Sequence, residues 1–293
     1  MSKKLNFRDF STEGSKYFPS DIDGTACSRL PAGAYTLHYD GMRGKFWFEA
    51  KDIQSDEILD LPSPEYDQIT KQMQYFMTPE VKAMFNRGGY IYKRSVLLHG
   101  KPGTGKTVIV NRVARDIVNS GGVVLWANEP KLLAFAYNVL NDIQPDVLTG
   151  VIFEEFDNIV ANNESTLLTL LDGQVQKNNV IYLATTNYLD KIPARVYRPG
   201  RMSSVLEVQF PNTAARTMYL EYKSKQLGID MDIKGRVDLT DGLSIDELKE
   251  VVQAVDILKE PLAATLARLR SAGPRLRIPD EFDDEDGSIG GLF

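Results

Sequence analysis

The stretch that most restricts how this chain can fold is Gly-Lys-Pro-Gly-Thr-Gly-Lys-Thr at residues 100–107. It satisfies G-x-x-x-x-G-K-[ST] through Gly100, Gly105, Lys106 and Thr107, with Pro102, Gly103 and Thr104 filling its interior. An apolar run, Val96 to His99, stands directly before it, and a helical stretch from Thr107 to about Asn119 directly after. In a strand, glycine loop and helix so ordered, backbone N–H groups curl around a phosphate and the helix N-terminus faces it. Lys106 is then expected to reach the β- and γ-phosphates of a nucleotide, and the Thr107 hydroxyl to ligate Mg2+.

Around this loop, strands and helices alternate. Further short apolar strands are expected at Val123 to Trp126, Val151 to Phe153, Val180 to Ala184 and Val205 to Phe210, with helices around Leu132 to Leu140 and Ser165 to Leu171. Nearly continuous, β-branched strands between helices indicate a parallel sheet covered on both faces. A helix from Tyr66 to about Phe85 precedes them, its apolar residues Ile69, Met73, Phe76 and Met77 recurring at helical spacing. After Pro211 the pattern turns helical: Ala214 to Leu227, a segment opened by a Ser244/Glu247 capping box and running to about Leu258, and another from Pro261 to Arg270. Towards the N-terminus, Ala34 to Tyr39 and Lys45 to Ala50 flank a turn-rich loop and read as a hairpin, either packed on the main domain or serving as a docking site. Residues 1 to about 30 show no period and read as loop or weakly ordered arm.

Nucleotide hydrolysis needs a carboxylate behind the metal and another to orient water, both at a strand end. Val151, Ile152 and Phe153 lead into Glu154 and Glu155; Glu154 is assigned to the metal's outer shell and Glu155 to the attacking water, the alternative being a solvated pair. Asp157 and Asn158 shape the same turn.

These motifs together resemble the AAA family of ATPases over about residues 67–260. Phe153 to Asp157 (FEEFD) is similar to that family's Walker B motif, and Val180 to Arg201 resembles its run from the sensor strand to the arginine fingers. The resemblance implies a P-loop α/β domain with a five-stranded parallel sheet of order 5-1-4-3-2, a small helical lid and, here, an N-terminal β-hairpin appendage. The implied boundaries are 1–65 for arm and hairpin, 66–210 for the large domain, 211–272 for the lid and 273–293 for an acidic tail. It implies Asn187 as the sensor near the γ-phosphate, and Arg198 and Arg201 as fingers entering the next subunit's site in a homo-oligomeric ring, most simply a hexamer. The bland alternative for both arginines is surface ion pairing. Expected chemistry is Mg2+-dependent hydrolysis of ATP, used to remodel a protein or protein complex. A DNA-linked factor and an ATP-stabilised scaffold are the competing readings.

Departures from the family pattern qualify this. Glu154 stands where the family has Asp, and the turn Gly242 to Glu247 (GLSIDE) resembles its SGAD-type turn and brings no arginine, so no second sensor arginine is expected in cis. Between Glu129 and Asp146 there is no glycine, and Phe135 and Tyr137 are the only aromatics, suited to helix packing or to a pore. The region from Thr169 to Arg201 also resembles the respiratory-complex assembly ATPases, without their membrane anchor.

Composition narrows the setting. No apolar run approaches the length of a membrane span, and a single cysteine, Cys27, with two histidines offers neither an internal disulfide nor a zinc cluster. A cytoplasmic protein, neither secreted nor anchored, is expected. The net charge of −6 is accounted for by six carboxylates between Asp280 and Asp286, so the remainder is near neutral and nucleic acid is not favoured as a partner. The tail, ending in Leu292 and Phe293, is read as solubilising, as a peptide that docks those two residues into a partner, or as an intramolecular ligand for Arg268, Arg270, Arg275 and Arg277.

Overall fold

Runs of β-branched and aromatic residues between glycine turns or helices give this chain its strands, and among the described residues nine of them join in one sheet. The computed structural model describes residues 7–20, 27–53, 61, 64–172 and 178–272; the acidic tail, with Leu292 and Phe293, lies outside them. Four strands come first: β1 (Asp9–Glu13), β2 (Lys16–Ser20), β3 (Gly33–Asp40) and β4 (Lys45–Ala50). Helices α1 (Pro64–Phe76) and α2 (Pro79–Arg87) lead to β5 (Lys93–His99), α3 (Lys106–Asn119), β6 (Val123–Trp126), α4 (Pro130–Ile143), β7 (Thr149–Phe153), α5 (Phe156–Asp172), β8 (Val180–Thr186) and β9 (Ser204–Glu207). α6 (Thr213–Leu227), α7 (Ile233–Leu239), α8 (Ile245–Val252) and α9 (Leu262–Ala272) follow.

The sheet order is β1-β2-β4-β3-β6-β7-β8-β5-β9. This corrects the expected five-stranded sheet with an appended hairpin. The expected 5-1-4-3-2 order holds only for the portion β9-β5-β8-β7-β6, counted along the chain from β5. The hairpin β3–β4 is not an appendage, because β3 runs parallel to β6 from Gly33↔Val123 to Thr36↔Trp126 and makes the two parts one sheet. Residues 9–20, expected to be loop or arm, are a second antiparallel hairpin pairing Glu13 with Lys16 across a turn where Gly14 takes φ 58, a region favouring glycine. Phe10 is fully buried, its ring edge-on to Phe48 with centroids 5.8 Å apart.

Period-two alternation sorts the strand side chains onto two faces. Leu97, Leu125, Val151, Phe153 and Tyr182 pack with α4 and α5, and this core continues under the N-terminal strands through Tyr35, Phe46 and Phe48. Val96, Leu98, Val124, Ile152, Ile181 and Leu183 pack with α1 and α3. Both aromatics weighed for a pore belong to the first core: Tyr137 is fully buried and donates a 2.8 Å hydrogen bond to Tyr182, while Phe135 packs on Phe46. The single helix expected over 66–85 is two, because Pro79 has no N–H and occupies the first turn of α2 behind an extended Thr78. The α5 helix begins nine residues earlier than Ser165 and is interrupted at Asn163, where φ is −140°.

The described residues divide into two compact units, one up to Asp246 and one from Glu247 onwards. In the first, Asn212 caps α6 by accepting from the Ala215 N–H (2.8 Å), and Asp232 caps α7, a helix the sequence reading did not include. In the second, the end of α8 passes into a π-helical turn, Gln253–Ile257, and Arg268 of α9 pairs with Glu250 at 2.8 Å.

Candidate nucleotide-hydrolysis site

Three adjacent parallel strands, β7, β8 and β5, end on the same edge of the sheet, and three turns leave from there. One is the glycine loop. Its residues Gly103 and Gly105 take φ 76 and 95, and Gly105 sits immediately before α3, whose first N–H groups have no intrahelical partner. Gly100 is glycine for two reasons: its φ is 153, and a Cβ there would lie 2.3 Å from the carbonyl oxygen of Val208. Lys106 is buried, and its ammonium donates to the carbonyls of Gly100 (2.8 Å) and Lys101 (2.7 Å). Burial pushes its pKa down, since the charged form has lost water without an anionic partner among those contacts. A buried ammonium beside unpaired helix N–H groups suits a phosphate, so the loop fits the triphosphate of a nucleotide. Thr107 is exposed on the first turn of α3, its hydroxyl available to a metal.

The second turn carries the carboxylates. Glu154 is half-buried and Glu155 exposed, directly after β7. Glu155 has φ 48, a left-handed backbone conformation that a non-glycine residue keeps only where its surroundings hold it. Its carbonyl accepts from the Asn158 N–H (2.9 Å) at the start of α5, and Asn158 Nδ2 donates to its carboxylate (3.0 Å). The third turn begins at Asn187, exposed one residue beyond β8. Between these turns the buried Thr186 hydroxyl donates to Asp157 Oδ1 at 2.6 Å and accepts from the Tyr188 N–H at 3.0 Å. The loop, Glu154, Glu155 and Asn187 thus share one edge.

Arg198 and Arg201 do not join them. The Lys93 ammonium donates to the Gly200 carbonyl (2.8 Å) and the Ser95 hydroxyl to that of Arg201, which places this segment beside the first residues of β5. Five residue steps along the strand separate Ser95 from Gly100, roughly 16 Å at ~3.3 Å per step. The two arginines also differ. Arg201 forms a bidentate ion pair with Asp172, whose carboxylate is held below its usual range by that hydrogen bond. Arg198 is exposed, and its guanidinium has no hydrogen bond or ion pair among the described residues.

The turn that begins at Gly242 is expected in the helical lid. In the first unit, Ile245 N–H donates to the Gly103 carbonyl (3.3 Å), and a Cβ at Gly103 would lie 2.8 Å from Ser244 Oγ and 3.2 Å from an Asp246 carboxylate oxygen. Arg216, buried on α6, braces this turn by donating to the Pro211 carbonyl (2.9 Å) and pairing with Asp241 (2.8 Å). Neither Arg216 nor the Asp157–Thr186 contact was foreseen. Asp157 inside FEEFD and Thr186 beside Asn187 were the available signals, but their pairing joins residues 29 apart.

Residues 96–210 match the sequence profile of the ATPase family associated with various cellular activities (AAA). These residues are an AAA ATPase domain. Among its relatives, a proteasome-activating nucleotidase of Aeropyrum pernix is 31% identical over 193 residues, 58% of this chain and 46% of that protein. A cell division cycle protein 48 homolog of Archaeoglobus fulgidus is 25% identical over 214 residues, 62% of this chain and 29% of the relative. A proteasome-activating nucleotidase of Methanosarcina mazei is 27% identical over 234 residues, 68% and 54% respectively. The matched stretch therefore spans less than two thirds of each of these relatives' own length. The match supports ATP binding and, in general, ATP hydrolysis by the AAA domain. Among the described residues, no helix is long and apolar enough to cross a membrane.

Proposed function

We propose that this AAA+ protein hydrolyses ATP with Mg2+ and uses the energy to remodel a protein or protein complex, as a homo-oligomeric ring whose sites lie between subunits. The observation that carries the reading is the shared edge of β5, β8 and β7, where a phosphate-suited loop, two carboxylates and an amide leave from neighbouring strands. Gly100 to Thr107 hold the phosphates, with Lys106 exchanging its carbonyl partners for phosphate oxygens. Thr107 and, through its outer shell, Glu154 hold Mg2+, which when bound neutralises charge building on the phosphates. No group of three or more His, Cys, Asp or Glu side chains forms a metal cage among the described residues, consistent with an ion that keeps waters and phosphate ligands. Glu155 takes the proton of, or orients, the attacking water, and Asn187 fixes that water from the neighbouring strand.

The arginine geometry supports shared sites. In its own chain the segment at Gly200–Arg201 lies by the far end of β5 from the loop, and Arg198 is exposed. A guanidinium serves charge on a γ-phosphate, and these arginines serve a neighbouring subunit's nucleotide. A nucleotidase named for activating a proteasome among the relatives agrees with a protein target.

Glu155→Gln tests the reading. Nucleotide binding, followed with a fluorescent ATP analogue, is expected to persist, while turnover falls by about 10²- to 10⁴-fold, the usual contribution of a positioned base. Undiminished turnover would reject the assignment. Proteins retained by this variant in ATP identify the target.

A further inference from the structure

We propose that Asp157 and Thr186 form a clasp that sets Glu155 and Asn187 in fixed relation to each other, making both positioning residues for the attacking water. The inference rests on the hydrolytic reading above and concerns residues with no place in it so far. Asp157 and Thr186 are buried, 7% and 2% exposed, and the Thr186 hydroxyl uses both its capacities: its hydrogen goes to Asp157 Oδ1 at 2.6 Å and its oxygen receives the Tyr188 N–H at 3.0 Å. Asn187 lies between two residues tied to the same oxygen, which restricts where its amide can point. On the other side, Asp157 stands two residues after Glu155 in the first turn of α5. Glu155 is left-handed at φ 48, and such a residue needs external support. Its own helix supplies part of that, through the Asn158 and Ile159 N–H groups on the Glu155 carbonyl. The Asp157 carboxylate supplies the rest by fastening the turn to β8.

The clasp also sits beside the glycine loop. Thr186 is in backbone register with His99, the residue before Gly100, so a single buried hydroxyl lies among all three turns of the site. The ladder that fixes the loop is made by backbone alone and does not depend on that hydroxyl. Removing the hydroxyl should therefore harm water positioning and spare nucleotide binding. A bond that merely stabilised the fold would not divide its effects this way.

Thr186→Val removes the hydroxyl at nearly constant shape. We expect kcat to fall about 10- to 100-fold, as misplacement by about an ångström does, while affinity for a fluorescent ATP analogue stays within about twofold. Thr186→Ser should restore kcat. In the Glu155→Gln background, Thr186→Val should cost nothing further, since groups acting as a unit are not additive. If Thr186→Val does not fold, Asp157→Asn, which weakens the acceptor and keeps its shape, should lower kcat by about 3- to 10-fold with binding unchanged. A kcat within about twofold of the unaltered protein, or a fall matched by equal loss of nucleotide affinity or melting temperature that serine does not restore, overturns the clasp. Loss in Glu155→Gln beside full turnover in Thr186→Val rejects the clasp alone. Full turnover in Glu155→Gln rejects the hydrolytic assignment and the clasp with it.

Discussion

Single residues in this protein are constrained by two different kinds of information. Gly100 could be recognised from its motif, but the motif says only that a glycine belongs there. The structure supplies the cost of anything else: φ 153 and a backbone oxygen 2.3 Å from where a Cβ would sit. Gly100→Ala is expected to destabilise the fold by about 1–3 kcal/mol, the usual price of a forced backbone conformation, and to weaken nucleotide binding. Thermal unfolding and titration with the ATP analogue check the two effects, and an alanine variant with unchanged melting and affinity would show that Val208 yields. Glu155 was likewise legible as a carboxylate at a strand end, whereas its left-handed backbone was not. Nothing in one residue's identity reports the conformation that neighbouring elements impose on it. Arg201 illustrates the same gap, since its ion pair with Asp172 joins positions 29 apart and leaves no local pattern.

Among the elements, those legible in the sequence bury a whole face or stripe. The strands near Val123, Val151 and Val180 and the helix after the loop carry continuous or periodic apolar residues, and the structure has them within a few residues of their expected bounds. The hairpin of β1 and β2 was missed because its contribution to the core is narrow: β1 brings only Phe10 among its five residues as a buried hydrophobe, and β2 contains Pro19, which argues against a strand. Its pairing is supplied by β4 and by Cys27, which bonds both backbone groups of Phe10. Phe10 should therefore matter as a core residue does. Phe10→Ala is expected to cost about 3–5 kcal/mol, measured by denaturant unfolding; a change typical of a solvent-facing arm would show that β1 contributes little.

For the molecule as a whole, the prediction concerns what one chain cannot do alone. The Gly200–Arg201 segment lies by the opposite end of β5 from the loop, so turnover per chain should rise with protein concentration if arginines act between copies. Mixing a variant lacking both Arg198 and Arg201 side chains beyond Cβ with Glu155→Gln should restore part of the activity that each lacks, because some mixed interfaces pair an intact base with intact arginines. No recovery in confirmed mixed assemblies would count against shared sites. The Asp172 pair adds a condition: Arg201 must leave an ion pair in its own chain before it can serve another, whereas Arg198 has no such contact to break among the described residues.

The parallel pairing of β3 with β6 has a consequence for how much of this protein can stand alone. Without residues 33–36, β6 would be the outermost strand on its side, with backbone groups unanswered and ready to template another chain. The N-terminal strands thus act as a built-in guard against mispairing, and cutting them away to isolate the nucleotide-binding part would expose a fully apolar strand, Val123–Trp126, to whatever strand came next.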